Sequence, residues 1–268
     1  MIKTITYKNT PLSYYACGKG FSVVLLHGFA ETYAIWKNQS GFLKNYYRLI
    51  IPDLPGSGAS ALFETGKNNL TIDELADSIH SIIINENIER CIMLGHSMGG
   101  YVTLSYAEKY AHKLQAFGLV HSTAFADSEE KKQIRKRGIE IMETYGGYAF
   151  LKTTTPNLFT TGFKKKHNEI VKELIEEGRH FKKENLQQYY YAMMNRADKT
   201  SVLKNTVLPV LFVAGTEDAA APLNDVLKQV HAPEIAYIHI INNMAHQSLL
   251  EVPVELNSVL KNFIDEAA

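Results

Sequence analysis

The 268-residue sequence carries 28 Lys plus Arg against 28 Asp plus Glu, a formal net charge of zero. That balance argues against the electrostatic footprint of a nucleic-acid or anionic-membrane binder. The apolar runs fall far short of a membrane span, and two cysteines, Cys17 and Cys91, make neither a disulfide framework nor a zinc site.

The length fits one large α/β domain, or a core with an inserted subdomain. Ile2 to Tyr7 alternates apolar and polar residues, as a half-buried strand does. Asn9-Thr10-Pro11 reads as a turn, and Leu12 to Ala16 as the returning strand. Phe21 to Leu26 is an apolar run suited to a strand buried on both faces. It stops at His27-Gly28-Phe29-Ala30, where a glycine lets the backbone approach a ligand. A helix is expected from Tyr33 past Trp36 to Asn45, then a strand over Tyr46 to Ile51. The Gly/Pro/Ser-rich stretch Asp53 to Ser60 is long for a connector and suggests a functional surface loop. Thr71-Ile72-Asp73-Glu74 is a capping box, and Ile72, Leu75, Ile79 and Ile82 follow on one helical face.

Next comes Cys91 to Leu94, running into Gly95-His96-Ser97-Met98-Gly99-Gly100 and then a helix-compatible stretch. A strand, a sharp turn carrying G-x-S-x-G and a helix make a nucleophile elbow. Ser97 then stands at the carboxyl end of a central strand, where open α/β sheets place their sites. Phe117 to Val120 is a further short strand. From about Ser122 strand patterns vanish until Val207, and charged helical stretches replace them. Residues 123–203 therefore read as a helical insertion, and 1–122 with 204–268 as the core. Pro209 to Gly215 and Ile235 to Ile241 supply the last strands, and Val254 to Ile264 the last helix. Strands alternating with helices give a mostly parallel sheet with helices on both faces.

A serine hydroxyl needs a base, and the base needs an orienting acid. Elbow-type hydrolases use the order Ser, then Asp or Glu, then His. Asp218 and His246 each follow a strand pattern, which brings both to the sheet edge that carries Ser97. Glu217 competes as the acid but lies one residue nearer its strand. His96 adjoins the serine, yet neighbouring side chains at a sharp turn point apart. His121 ends its own strand and is expected within reach of the site, as a substrate-facing residue. The oxyanion donors are expected to be the backbone N–H groups of Phe29 and Met98. Tyr189 to Met194 is aromatic and Met-rich at helical spacing, and Tyr190, Met193 and Met194 are expected to line an apolar pocket. No pair of histidines has ligand spacing, so no metal is expected; no cofactor is expected either.

With these residues in hand the chain resembles the α/β-hydrolase fold family over its whole length. His27-Gly28-Phe29 with Trp36, Asp53 to Ser60, Gly95 to Gly100, Gly215-Thr216-Glu217-Asp218 and His246 carry the resemblance. It implies an α/β-hydrolase core with an inserted helical cap over 123–203. It also implies Ser97, Asp218 and His246 as nucleophile, acid and base, with Phe29 and Met98 at the oxyanion positions. The chain departs from the pattern at Ala245-His246, where many members have Gly-His. A serine nucleophile argues against the dehalogenase and epoxide-hydrolase branches. Gly-His-Ser-Met-Gly is similar to the elbow of carboxylesterases, lactonases and carbon–carbon hydrolases. The expected activity is hydrolysis of a small, largely uncharged carboxylic ester through an acyl-enzyme. Carbon–carbon bond or lactone hydrolysis on the same residues is the nearest alternative, and an acidic substrate would need one local arginine such as Arg196. The alternative of another class is a ligand-binding signalling protein with little turnover; Gly99-Gly100 favours the enzyme over it. The expected partner is a small-molecule substrate. No positively charged leader with an apolar stretch precedes the first strand pattern, which makes a cytoplasmic location the expectation.

Overall fold

The computed structural model describes residues 1–64 and 69–268. Strands β1 (Ile2–Tyr7) and β2 (Thr10–Cys17) form an antiparallel hairpin. The hairpin turns at Lys8 and Asn9, whose φ angles are 45° and 61°. Both values are those of a primed hairpin turn, which matches the twist of the flanking strands. The turn therefore lies earlier than Asn9-Thr10-Pro11, and Pro11 sits inside β2 opposite Thr6.

The remaining strands are β3 (Ser22–Leu26), β4 (Arg48–Pro52), β5 (Cys91–His96), β6 (Leu114–Val120), β7 (Val210–Gly215) and β8 (Ala236–Ile241). They order as β1-β2-β4-β3-β5-β6-β7-β8. β2 pairs with β4 antiparallel, and every pairing beyond β4 is parallel. The carboxyl ends of β3, β5, β6, β7 and β8 consequently share one edge of the sheet, and the connections leaving those ends converge there.

Strand alternation divides the core into two layers. Val24 and Leu26 of β3, Met93 of β5 and Phe212 of β7 pack on one face, with the helices Ile72–Asn85 and Met98–Tyr110. Val23, Leu25, Ile92, Leu94 and Val213 pack on the other, with the helices Lys37–Leu43 and Pro253–Ala267. Each of these strand side chains is essentially fully buried, and each contributes about 1.5–3 kcal/mol relative to exposure. The capping box forms as its sequence predicts. Glu74 N–H donates to Thr71 Oγ1 at 3.1 Å, and Thr71 N–H donates to Glu74 Oε2 at 3.2 Å.

The Asp53–Ser60 stretch differs from the exposed loop expected of it: Asp53 to Ser57 are buried. Asp53 accepts Tyr33 N–H at 2.8 Å and Ala59 N–H at 3.0 Å. From above, Tyr189 Oη donates to Pro55 O at 2.7 Å and Asn185 Nδ2 to Gly56 O at 2.9 Å. Its glycines and prolines serve a tight turn roofed by the helix Lys183–Met194. Every element between β6 and β7 is helical. Among the described residues, no helix is long and apolar enough to cross a membrane.

Gly95 is the tightest point of the strand-to-helix turn. A Cβ there would lie 2.2 Å from Gly99 O and 2.3 Å from Gly99 C. Both are backbone atoms of the helix start, so no side-chain rotation relieves the clash. Gly95→Ala is expected to cost about 3 kcal/mol or more of stability, read as a lowered urea midpoint at unchanged m-value. A midpoint within error of the parent contradicts this packing.

Candidate active site

Ser97 follows β5 directly, with φ 51° and ψ −117°. A non-glycine residue reaches that region only when its surroundings over-determine it. Here they do. Ser97 N–H donates to Val120 O at 2.9 Å, and Ser97 O accepts Gly100 N–H at 2.9 Å and Ser122 Oγ–H at 2.8 Å. The turn is thus held by the end of β6 and by its own helix. Met98 opens that helix, so its N–H has no carbonyl to meet within it.

β3 delivers the facing loop. His27 is fully buried and holds the loop's shape: its Nδ1–H donates to Gly28 O at 2.8 Å and its Nε2 accepts Leu54 N–H at 2.9 Å. Burial pushes its pKa down, which favours this neutral tautomer. Gly28 is needed for close approach, since a Cβ there would stand 3.1 Å from Ser97 Cβ. The Phe29 N–H, one residue on, has no partner among the described residues.

β7 and β8 deliver Asp218 and His246. His246 Nδ1–H donates to Asp218, at 2.8 Å to Oδ2 and 3.0 Å to Oδ1. Asp218 Oδ1 also accepts the N–H groups of Ala220 and Ala221, both at 2.9 Å. The bland Ala219-Ala220-Ala221 stretch is therefore a backbone cradle for the carboxylate. Burial alone would raise the Asp218 pKa, but the two imidazoles beside it hold it well below the carboxylate range. With Nδ1 committed to Asp218, His246 Nε2 is the free nitrogen. Neither His246 Nε2 nor Ser97 Oγ has a hydrogen-bond partner among the described residues, and the two are not bonded to each other. The structure brings Asp218 and His246 together; the serine hydroxyl stands apart from the imidazole. Glu217 N–H donates to Met244 O at 2.8 Å, and its side chain is exposed.

His121 is the second imidazole on Asp218. Its Nδ1–H donates to Asp218 Oδ2 at 2.8 Å, and its Nε2 accepts Ser248 Oγ–H at 2.8 Å. It is 1% exposed, with φ 51°. Burial pushes its pKa down to about 4 against the pull of Asp218, so the ring is neutral. Both ring nitrogens are spent on protein, which leaves none for a substrate. His121 holds the Asp218 carboxylate. The ligating atoms of His121, Asp218 and His246 lie within 4.8 Å of one another, the one such group among the described residues. The shared carboxylate accounts for that closeness, because each facing atom is already in one of these hydrogen bonds.

Tyr190 packs its ring 4.7 Å from that of Phe29 and lines a cavity of about 100 Å³ with Phe29, Leu151, Thr155, Leu158 and Gln247. Met193 and Met194 are buried, Met193 within the main apolar core. Met193 and Met194 are not among the residues lining this cavity, although positions i, i+3 and i+4 share a helix face. Arg196 donates to Asp127 Oδ1, Met193 O and Phe125 O, and its side chain is 5% exposed.

Sequence reasoning missed a buried pair at the same site. His96 pairs with Glu31: Nδ1 lies 3.0 Å from Glu31 Oε2. The available signal was an acidic residue three positions after Gly28, in a loop of otherwise uncharged residues.

Known proteins resemble this chain in sequence and fold. A pimeloyl-[acyl-carrier protein] methyl ester esterase of Wigglesworthia glossinidia brevipalpis is 24% identical, over 91% of this chain and 93% of its own. A thermophilic esterase from Thermogutta terrifontis superposes with a TM-score of 0.89 at 25% identity, covering 96% of this chain and 94% of that one. The enol-lactonase of Burkholderia xenovorans LB400 shares the fold, with a TM-score of 0.90 at 21% identity over 98% of this chain and all of that one. The family model for the alpha/beta hydrolase fold matches residues 22–251, and this chain is an enzyme that belongs to that family.

Proposed function

We propose that the protein is a serine hydrolase of small, largely uncharged carboxylic esters, with Ser97 as nucleophile, His246 as base and Asp218 as orienting acid. The observation that carries this reading is the His246–Asp218 pair, bonded at 2.8 Å and 3.0 Å on the sheet edge where Ser97 is held at φ 51°. His246 Nε2 takes the serine proton once substrate draws the two into hydrogen-bond contact. The attack turns the ester carbonyl into an oxyanion, which the N–H groups of Phe29 and Met98 receive. The imidazolium gives its proton to the leaving alcohol, leaving an acyl-serine. Water then attacks that ester with His246 again as base, and free acid departs.

Residues 123–203 act as the cap. Tyr190 brings the cap against Phe29, so the cavity between them, which Glu31 and Gln247 also line, is the subsite for the acyl or alcohol chain. The spent donors of Arg196 count against its use as a carboxylate receptor, and so favour an ester over an acidic carbon–carbon substrate. The relatives named as esterases point the same way.

A p-nitrophenyl ester series tests the reading. Short and medium acyl esters are expected to turn over. Turnover slower than about one per minute on every ester, against the ~1–10³ per second usual for enzymes, would favour a ligand-binding protein instead.

A further inference from the structure

His96 and Glu31 are both buried, and their surroundings dictate where the protons lie. His96 Nε2 lies 3.1 Å from the backbone oxygen of His246, and a carbonyl only accepts, so Nε2 carries a proton. His96 Nδ1 faces Glu31 Oε2. That same oxygen accepts Gly28 N–H at 2.6 Å, while Oε1 accepts Gln247 Nε2–H at 2.8 Å. Glu31 is therefore ringed by donors, which is the setting of an ionised carboxylate.

These contacts span three loops. Gly28 belongs to the loop beside the Phe29 N–H, His96 to the nucleophile elbow, and His246 and Gln247 to the loop bearing the base. The geometry points to a clasp: an imidazolium at His96, paired with an ionised Glu31, holds these three loops in register. Both are positioning residues, and the inference deepens the serine-hydrolase reading on which it rests. Neither group touches the reacting atoms; His96 acts through the His246 carbonyl, and Glu31 through the peptide that precedes the Phe29 N–H.

The charges facing His96 agree. Burial alone would push the His96 pKa down, but the Glu31 carboxylate outweighs it and the net direction is up. Burial would raise Glu31, but the imidazolium and its other donors bring it to about 2. Asp218 adds a second negative charge nearby, and the neutral His121 and His27, with the His246 ring 5.0 Å from that of His96, complete the buried surroundings. The signs set the working window. Glu31 supports the fold above the usual carboxyl range and loses that effect only as pH falls towards about 2. His96 supports it below the ordinary histidine value near 6.5, and loses that effect as pH rises through its elevated pKa.

The test reads proton positions directly. In protein labelled with ¹⁵N-histidine, one ring is expected to stay protonated on both nitrogens at a pH above the ordinary histidine value near 6.5. It is expected to become singly protonated in Glu31→Gln, which keeps the shape and removes the charge. On a p-nitrophenyl ester the same variant is expected to lose about 10–100-fold in kcat with KM within about 3-fold, the pattern of misplaced groups rather than lost binding. A wild type without any doubly protonated ring at that pH overturns the clasp. So does a folded Glu31→Gln whose kcat stays within about 2-fold of the parent. The ring measurement needs no substrate, so a wild type inert towards esters sinks the hydrolase reading while the protonation state still judges the clasp.

Discussion

Ser97→Ala is expected to lose about 10⁴-fold or more in p-nitrophenyl ester turnover, with little change in fold or in ester binding. The magnitude follows from what the hydroxyl does. Alanine removes the atom that forms the acyl bond, and with it the benefit of the base and its acid. It leaves the Phe29 and Met98 N–H groups and the apolar wall of Phe29 and Tyr190 in place, so weak catalysis over water survives. Alanine retains a Cβ, so the Ser97 backbone at φ 51° and the contacts of its N–H and C=O are unaltered in kind. Urea unfolding of the variant should therefore give a midpoint near that of the parent. Turnover within about 10-fold of the wild type would mean that another group attacks the ester.

Asp218→Asn is the second large effect, expected at about 10³–10⁴-fold in kcat. The carboxylate accepts from His246 Nδ1, from His121 Nδ1 and from the N–H groups of Ala220 and Ala221. An asparagine has one accepting oxygen and one donating nitrogen. If the oxygen keeps the backbone donors, the amide nitrogen faces both imidazoles. His246 must then shift its proton to Nε2, and a protonated Nε2 cannot take one from serine. The reverse orientation turns the amide nitrogen against two backbone donors, which costs stability as well. Crystallography of the variant would reveal the amide's new partners, and a pre-steady-state burst would show whether acylation has become limiting. A variant that keeps more than about a tenth of the parent kcat would remove Asp218 from the mechanism.

Much of the architecture was legible because it rests on short-range rules. The apolar run Phe21 to Leu26 suits a strand buried on both faces, and the structure has one over Ser22–Leu26; Thr71 with Glu74 marks a helix start, and the helix begins at Ile72. The elbow was legible for the same reason: its glycines and serine are adjacent, and each has a steric task. Asp218 and His246 were found by chain order and by the rule that sites gather at carboxyl ends of parallel strands, and the structure joins them by hydrogen bonds.

Contacts made across the fold were not legible. That β4 lies between β2 and β3 depends on antiparallel pairing of Tyr14 to Cys17 with Leu49 to Pro52, which no local pattern marks. The partners of His121, Asp218 and Ser248, were not legible, because strand ends locate a backbone and do not aim a side chain. His96 was set aside for pointing away from Ser97, yet the direction it does take leads to Glu31 and to the His246 carbonyl. The helix carrying Tyr190, Met193 and Met194 presents only part of its apolar surface to the cavity, and the rest packs inward.

The account depends on the Ser97 hydroxyl being activated by His246. A fluorophosphonate that attacks only activated hydroxyls reads this in one experiment, followed by peptide mass spectrometry on the wild type and on His246→Gln. The account predicts a single adduct on Ser97, formed at least about 10³-fold more slowly in the variant. An adduct on any other residue, or equal labelling rates in the two proteins, would contradict it.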